Sequence, residues 1–282
     1  MIEGTLPALL TPFTAAGEVD LHALDLHLDW LHERGIRTVS PLGTTGEGPS
    51  LSLEERKAVI ERVARHRSGM AFVPGTGCTA LPETVELSAF ALDLGAQAVL
   101  VAPPTFFPPT EDGVLRYYAT LLAALPDSAA VLLYHIPQNT RIPITDRMLR
   151  ELPVAGVKDS SSDPEHLLPW VREFGERLDI VDGSDDLVAA HHAAGGRATI
   201  TLLANVVPEE LDGIRAGDDA ERRQRRLSAL REAVSAVPRH AAVKYVLHLL
   251  TGLPASGVRP PLDDLTAAQR VEVQQRLSEL EE

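Results

Sequence analysis

Only three of the 26 basic residues in this sequence are lysines: Lys57, Lys158 and Lys244. Lys57 falls on an amphipathic helical pattern and Lys244 on a C-terminal one, and both are expected at solvated surface. Lys158 differs. It ends the apolar run Val154-Ala155-Gly156-Val157 and is followed at once by Asp159-Ser160-Ser161-Ser162, the pattern of a buried strand that stops at a loop. Burial disfavours the charged form of an amine. A neutral amine is a nucleophile and can form a Schiff base with a ketone. Read from position alone, the alternative is a lysine that snorkels out of the strand end or pairs with Asp159.

Two other segments carry groups that such chemistry would use. Ser40-Pro41-Leu42-Gly43-Thr44-Thr45-Gly46-Glu47-Gly48 offers two hydroxyls and a run of backbone N–H groups, with glycines that let the chain approach a ligand closely. It suits a small carboxylate, and read alone it is also an ordinary tight turn. It lacks the Gly-Lys-Ser/Thr ending of a nucleotide phosphate loop. In Tyr134-His135-Ile136-Pro137-Gln138-Asn139-Thr140, Tyr134 can carry a proton if its hydroxyl faces the lysine; otherwise it is a core tyrosine with a satisfied hydroxyl.

The elements that must position these groups form a repeating pattern. Short Val/Ile/Leu-rich runs begin near Thr5, Ile36, Ala71, Ala98, Ala130, Val154, Ile180 and Thr199, spaced like strand–helix units. Helix starts are marked at Ser52-Leu53-Glu54-Glu55, Leu81-Pro82-Glu83-Thr84, Thr110-Glu111-Asp112 and Ser162-Asp163-Pro164-Glu165. Gly35, Gly95 and Gly175 stand where helices should stop. Eight such units predict an all-parallel sheet closed into a (β/α)8 TIM barrel, whose active sites gather at the C-terminal strand ends. A doubly wound open sheet is the competing arrangement. After about Leu203 the alternation stops and helices are expected over 208–215, 218–236, 238–250 and 265–280. Residues 1–207 are therefore read as the barrel core, and residues 208–282 as the last barrel helix with a C-terminal helical extension.

Composition narrows the class. The chain has 282 residues, 44% of them hydrophobic and 23% charged, with a net charge of −14. That is globular composition, neither disordered nor fibrous. No basic face is expected for nucleic acid: the cluster Arg222-Arg223-Gln224-Arg225-Arg226 follows Asp218-Asp219-Ala220-Glu221 and reads as a helix face laced with local ion pairs. No apolar run is long enough to span a membrane. The N-terminus lacks the marks of a signal peptide, and the single Cys78 fits a reducing compartment; a cytoplasmic protein is expected. Cys78 has no evident activating partner and reads as inert. Gly75-Thr76-Gly77 reads as a turn, and the adjacent His191-His192 point apart on a helix and make no recognisable metal pair.

Taken together, Gly-Thr-Thr-Gly-Glu at 43–47, Tyr-x-x-Pro at 134–137 and Gly-Val-Lys-Asp-Ser-Ser at 156–161 resemble the family of dihydrodipicolinate synthase and N-acetylneuraminate lyase, class I Schiff-base aldolases on a (β/α)8 barrel with added C-terminal helices. The resemblance runs from about Gly4 to at least Pro208. It implies that Lys158 forms the imine with pyruvate or another 2-oxo acid and that Tyr134 moves protons. It further implies that Thr44 and Thr45 hold the carboxylate, and that Gly183 and Ile200 line the pyruvate pocket. No metal or separate cofactor is implied; the partner is a small 2-oxo acid, and the assembly a homotetramer built as a dimer of dimers.

The sequence also departs from that pattern. Where the synthases carry an arginine that grips the aldehyde's carboxylate, this chain has Asn139, which cannot form a charged bidentate pair; Arg141 is near in sequence. Where the family commonly has two tyrosines, it has Thr105 and Phe106. The second of those tyrosines reaches in from a neighbouring subunit and completes a proton relay, and Phe106 keeps the ring but loses the hydroxyl. His135 stands where asparagine is common and reads as structural. The reading is a lyase or aldolase making or breaking a carbon–carbon bond next to a 2-oxo acid, with a sugar-acid or hydroxy-oxo-acid type of partner. Dihydrodipicolinate synthase itself, a Schiff-base dehydratase of a deoxy sugar acid, and a non-catalytic 2-oxo acid binder remain the alternatives.

Overall fold

The apolar runs become eight short strands in the computed structural model, which describes residues 1–280: β1 (Gly4–Pro7), β2 (Thr38–Val39), β3 (Ala71–Phe72), β4 (Val99–Val101), β5 (Val131–His135), β6 (Gly156–Asp159), β7 (Asp179–Asp182) and β8 (Ala198–Thr201). Each begins within two residues of its expected start. The largest offset is two residues, as at β6, because Val154 and Ala155 belong to the turn entering the strand. Strands β1-β8-β7-β6-β5-β4 pair in that order and β2 pairs β3, all in parallel. Single bridges, Ala8 to Ser40 and Gly75 to Leu100, close the ring. The sheet is a closed eight-stranded barrel, so no strand edge is left to cover.

The alternation of side chains along each strand sorts them into two layers. Leu6, Leu100, Leu132, Tyr134, Val181 and Ile200 fill the barrel interior. Val99, Val101, Val131, Leu133, Val157 and Ile180 face outward against the helices. In β6, Val157 faces out, so its successor Lys158 faces in. The register sets Lys158 beside Tyr134 on one flank and Val181 on the other. Lys158 is thereby fixed in the barrel by strand periodicity.

The helices are α1 (Leu21–Glu33), α2 (Leu53–Ala64), α3 (Leu81–Asp93), α4 (Glu111–Ala123), the short α5 (Pro137–Thr140), α6 (Asp146–Glu151), α7 (Pro164–Phe174) and α8 (Val188–Ala193). Ser52 and Glu55 form a reciprocal capping box at the start of α2, and Thr110 and Asp163 cap α4 and α7. After β8 come α9 (Pro208–Ala216), α10 (Ala220–Ser235), α11 (Arg239–Thr251) and α12 (Ala267–Glu279). These four share a second apolar core with Leu10 and Leu203, which follow β1 and β8, and with Val188 of α8. Asn205 fastens that junction: its Nδ2 donates to the Ala8 carbonyl at 2.8 Å and its Oδ1 accepts from the Leu10 N–H at 3.2 Å. The basic cluster is spent locally, Arg222 on Asp219, Arg223 on Asp218 and Glu210, Arg225 on Glu221. No helix among the described residues is long and apolar enough to cross a membrane.

His191 is a core residue. It is fully buried, its Nε2 donates to the Ile180 carbonyl at 2.9 Å, and His192 beside it is exposed. Burial pulls the His191 ring down to about 4, so it is neutral at ordinary pH.

Candidate active site

The C-terminal end of the barrel brings together Lys158, Tyr134, Thr44 and Gly183. Lys158 is 4% exposed, and its Nζ donates to the Tyr134 hydroxyl at 3.3 Å. The same nitrogen sits 4.5 Å from the centroid of the Tyr134 ring. The Tyr134 oxygen is also 3.4 Å from Thr44 Oγ1, so the three groups form a chain of proton carriers. Burial on its own would raise the pKa of the Tyr134 phenol. The Lys158 charge, together with the hydroxyls of Thr44 and Ser160, outweighs it and leaves the phenol below its ordinary value.

Lys158 does not pair with Asp159. That carboxylate points away and takes the Ser161 N–H at 2.8 Å and His166 Nδ1 at 2.7 Å. Gly183 explains how the lysine fits: a Cβ there would stand 2.8 Å from Lys158 Cε and collide with the Ser160 hydroxyl, so only glycine lets β7 close on the amine. Ile200 is fully buried in the interior cluster that also holds Tyr134. Thr45 is buried beside the half-buried Thr44. Asn139 lies on α5, exposed to solvent, and makes no hydrogen bond to any of these groups.

The loop carrying Thr44 and Thr45 is held from outside the barrel, through residues the sequence reading missed. Expected at the surface, Lys244 is instead buried. Its Nζ lies 2.5 Å from Glu47 Oε1 and donates to the Gly257 carbonyl at 2.7 Å, with lysine and glutamate 3% and 2% exposed. The reason is the apolar helix around it: Ala241, Ala242, Val243, Val246 and Leu247 of α11 are all buried, which leaves Lys244 no route to water. The Arg259 N–H completes Glu47 by donating to Oε2 at 2.9 Å. Glu47 sits in the left-handed region, at a φ of 53°, a conformation that its buried contacts must hold. Neighbouring His240, at the start of α11, donates from Nε2 to the Thr44 carbonyl at 3.0 Å. The helical extension therefore clamps the loop directly.

Asp182, at the end of β7, was also missed. Its Oδ1 accepts from the Ser184 N–H at 2.8 Å, while Oδ2 is buried with no partner. Burial drives its carboxyl well above the usual range, with Asp185 and Asp159 adding to the rise and Lys158 opposing it. Burial thus disfavours the charged form of Asp182 and weakens it as a counter-charge to Lys158.

His135, Asp159 and His166 place potential ligand atoms within 4.8 Å of one another. The two imidazoles are stacked, with centroids 4.3 Å apart and planes 16° apart. Their in-plane lone pairs therefore run side by side and do not converge on one point. His135 Nδ1 also accepts the Ile144 N–H at 3.0 Å, and burial lowers that ring to about 4. The cluster supports the end of β6 from behind, and His135 has the structural place expected of it. Cys78 is half-buried and its thiol is raised, mainly by burial, which leaves it a poor nucleophile.

A model of the Dihydrodipicolinate synthetase family matches residues 1–280. The chain belongs to this family. It is 40% identical, over 92% of its own length and 90% of the relative's, to an uncharacterized DapA-like lyase of Chloroflexus aurantiacus. To a 4-hydroxy-tetrahydrodipicolinate synthase of Sorangium cellulosum it is 34% identical, over 99% and 96%. Among solved structures, a prophage protein of the dihydrodipicolinic acid synthase family from E. coli K12, in complex with pyruvate, superposes with a TM-score of 0.92 at 26% identity. That match covers 100% of this chain and 99% of the other. The (β/α)8 barrel with C-terminal helices is thus the family's architecture, and the chain is an enzyme of the aldolase and lyase type.

Proposed function

We propose that this protein is a Schiff-base lyase that makes or breaks a carbon–carbon bond next to a 2-oxo acid, with pyruvate as the 2-oxo acid. The observation that carries the reading is the buried Lys158 amine at 3.3 Å from the Tyr134 hydroxyl, itself in reach of Thr44. In this scheme the 2-oxo acid carboxylate rests on the Thr44–Thr45 loop. The Lys158 amine attacks the keto carbon. Tyr134 passes one of the amine's protons and then its own to the departing oxygen, water leaves, and an iminium remains. The iminium withdraws electrons from the adjacent carbon, which stabilises the enamine formed on bond cleavage or supplies the enamine that attacks an aldehyde. Tyr134 and Thr44 return the proton.

The reaction needs only the covalent imine, with no metal or separate cofactor. A synthase reaction with aspartate semialdehyde is the second reading, favoured by synthases such as that of S. cellulosum, which match along nearly the whole chain. Asn139 weighs against a synthase site built in the usual way. We further propose a homo-oligomer, a tetramer built as a dimer of dimers. Its support is the exposure of Phe106 and Phe107, at 77% and 76%, packed edge to face on the β4–α4 loop. A cytoplasmic location fits the single free Cys78.

Sodium borohydride added during incubation with pyruvate should reduce the imine and add to Lys158 the mass of pyruvic acid less one oxygen, read by peptide mass spectrometry. Absence of label over a panel of 2-oxo acids would remove the mechanism. Label at Lys158 without turnover of any aldehyde, hydroxy-oxo acid or deoxy sugar acid would leave a non-catalytic binder.

A further inference from the structure

Arg239 opens α11 beside His240, the residue that holds the Thr44 carbonyl. Its Nε is buried and has no hydrogen-bond partner, and its guanidinium forms no ion pair among the described residues. A buried donor left without an acceptor costs about 1–3 kcal/mol. Burial weighs most against its charge and Arg231 of α10 adds to that, while Asp185 beyond the β7 rim and the Tyr134 phenol of the reaction centre favour it.

The one carboxylate among them is already committed. Asp185 Oδ1 accepts from the Leu203 N–H at 3.0 Å, and its Oδ2 faces Arg231 Nε at 3.5 Å. Two guanidinium groups therefore share one carboxylate here. A surplus positive charge held this way, in a protein of net charge −14, is a ready receptor for an anion. A guanidinium does not escape by losing its proton.

We propose that Arg239 is a specificity-determining residue that binds an anionic group, carboxylate or phosphate, on the aldehyde partner. This rests on the Schiff-base lyase reading, in which the Thr44–Thr45 loop already serves the carboxylate of the 2-oxo acid. Arg239 then supplies, from α11, the charge that Asn139 does not supply from α5. The acceptor oxygen of the substrate satisfies Nε, so a substrate lacking the anion leaves a buried donor unpaired and is rejected.

The test compares wild type, Arg239→Gln and Arg239→Lys with pyruvate and four aldehydes. These are succinic semialdehyde and glyceraldehyde 3-phosphate, with butanal and glyceraldehyde as their uncharged counterparts. Wild type should prefer one charged aldehyde over its counterpart by about tenfold to a hundredfold in kcat/KM, the worth of a charge-assisted hydrogen bond. The member preferred separates carboxylate from phosphate. Arg239→Gln should erase the preference, chiefly through KM for the aldehyde, and Arg239→Lys should restore part of it. Borohydride labelling with pyruvate should be unchanged in both variants. A preference that survives in Arg239→Gln, or labelling that falls in step with the aldehyde reaction, overturns the assignment.

Wild type that takes no label at all would instead count against the lyase reading. A second arm reads the anion site without the imine. In Lys158→Ala, the Arg239 guanidinium resonance should shift saturably on titration with succinate or inorganic phosphate, and no such response should appear in Lys158→Ala/Arg239→Gln. No saturable shift with either anion overturns the proposal whatever the fate of the imine.

Discussion

Lys158→Met should abolish borohydride labelling and turnover, and at the same time raise the melting temperature. The two effects have one origin. Lys158 is 4% exposed, the one side chain it bonds to among the described residues is Tyr134, and burial disfavours the charged form of Asp182, which would otherwise oppose its charge. An amine kept there is poorly compensated for its lost hydration. Methionine has nearly the same length and fills the same space, so no cavity opens. Removing the amine should gain about 1–2 kcal/mol, or roughly 2–8 °C in Tm for a chain of this size. Calorimetry checks the sign. A lower Tm in Lys158→Met would mean that the lysine supports the fold, and the case for a reactive amine would lose its physical basis.

Lys244→Met should have the opposite effect on stability. Glu47 would keep the Arg259 N–H at 2.9 Å but lose the ionic partner it has in Lys244, while remaining 2% exposed. Breaking a buried pair from one side costs about 3–5 kcal/mol, because the remaining charge is stranded. A fall in Tm of about 6–20 °C follows. The double variant Lys244→Met/Glu47→Gln removes both charges and should recover most of the loss. Since Glu47 anchors the loop that bears Thr44 and Thr45, the single variant should also raise KM for the 2-oxo acid more than it lowers kcat. Denaturation of all four members of the double-mutant cycle measures the coupling. A Lys244→Met protein within about 1 kcal/mol of wild type would show that the pair is not what holds the loop.

The barrel was legible in the sequence because parallel strands buried on both faces leave long apolar runs, and crossover helices leave capping residues such as Ser52 and Asp163 between them. Lys158 and Tyr134 were legible for a local reason: each sits in a strand where the alternation of inward and outward side chains is set by neighbours such as Val157 and Leu133. The supports of the Thr44 loop were not legible. Lys244 lies 197 residues from Glu47, and no local pattern announces so distant a pairing. One signal was present, however: Lys244 falls on the stripe that Ala241 and Leu247 share on α11, and a lone charge on an apolar stripe needs a buried partner. Arg239 and Asp182 take their character from groups supplied by other elements, so only the folded chain reveals that Arg239 Nε and Asp182 Oδ2 are buried without a partner.

The most direct measurement is a crystal structure of the protein soaked in pyruvate. The account predicts a continuous covalent connection from Lys158 Nζ to the keto carbon, with the carboxylate on Thr44 and Thr45 and the Tyr134 hydroxyl within hydrogen-bond distance of the imine. Pyruvate bound without a bond to Lys158, or bound away from the Thr44 loop, would contradict it.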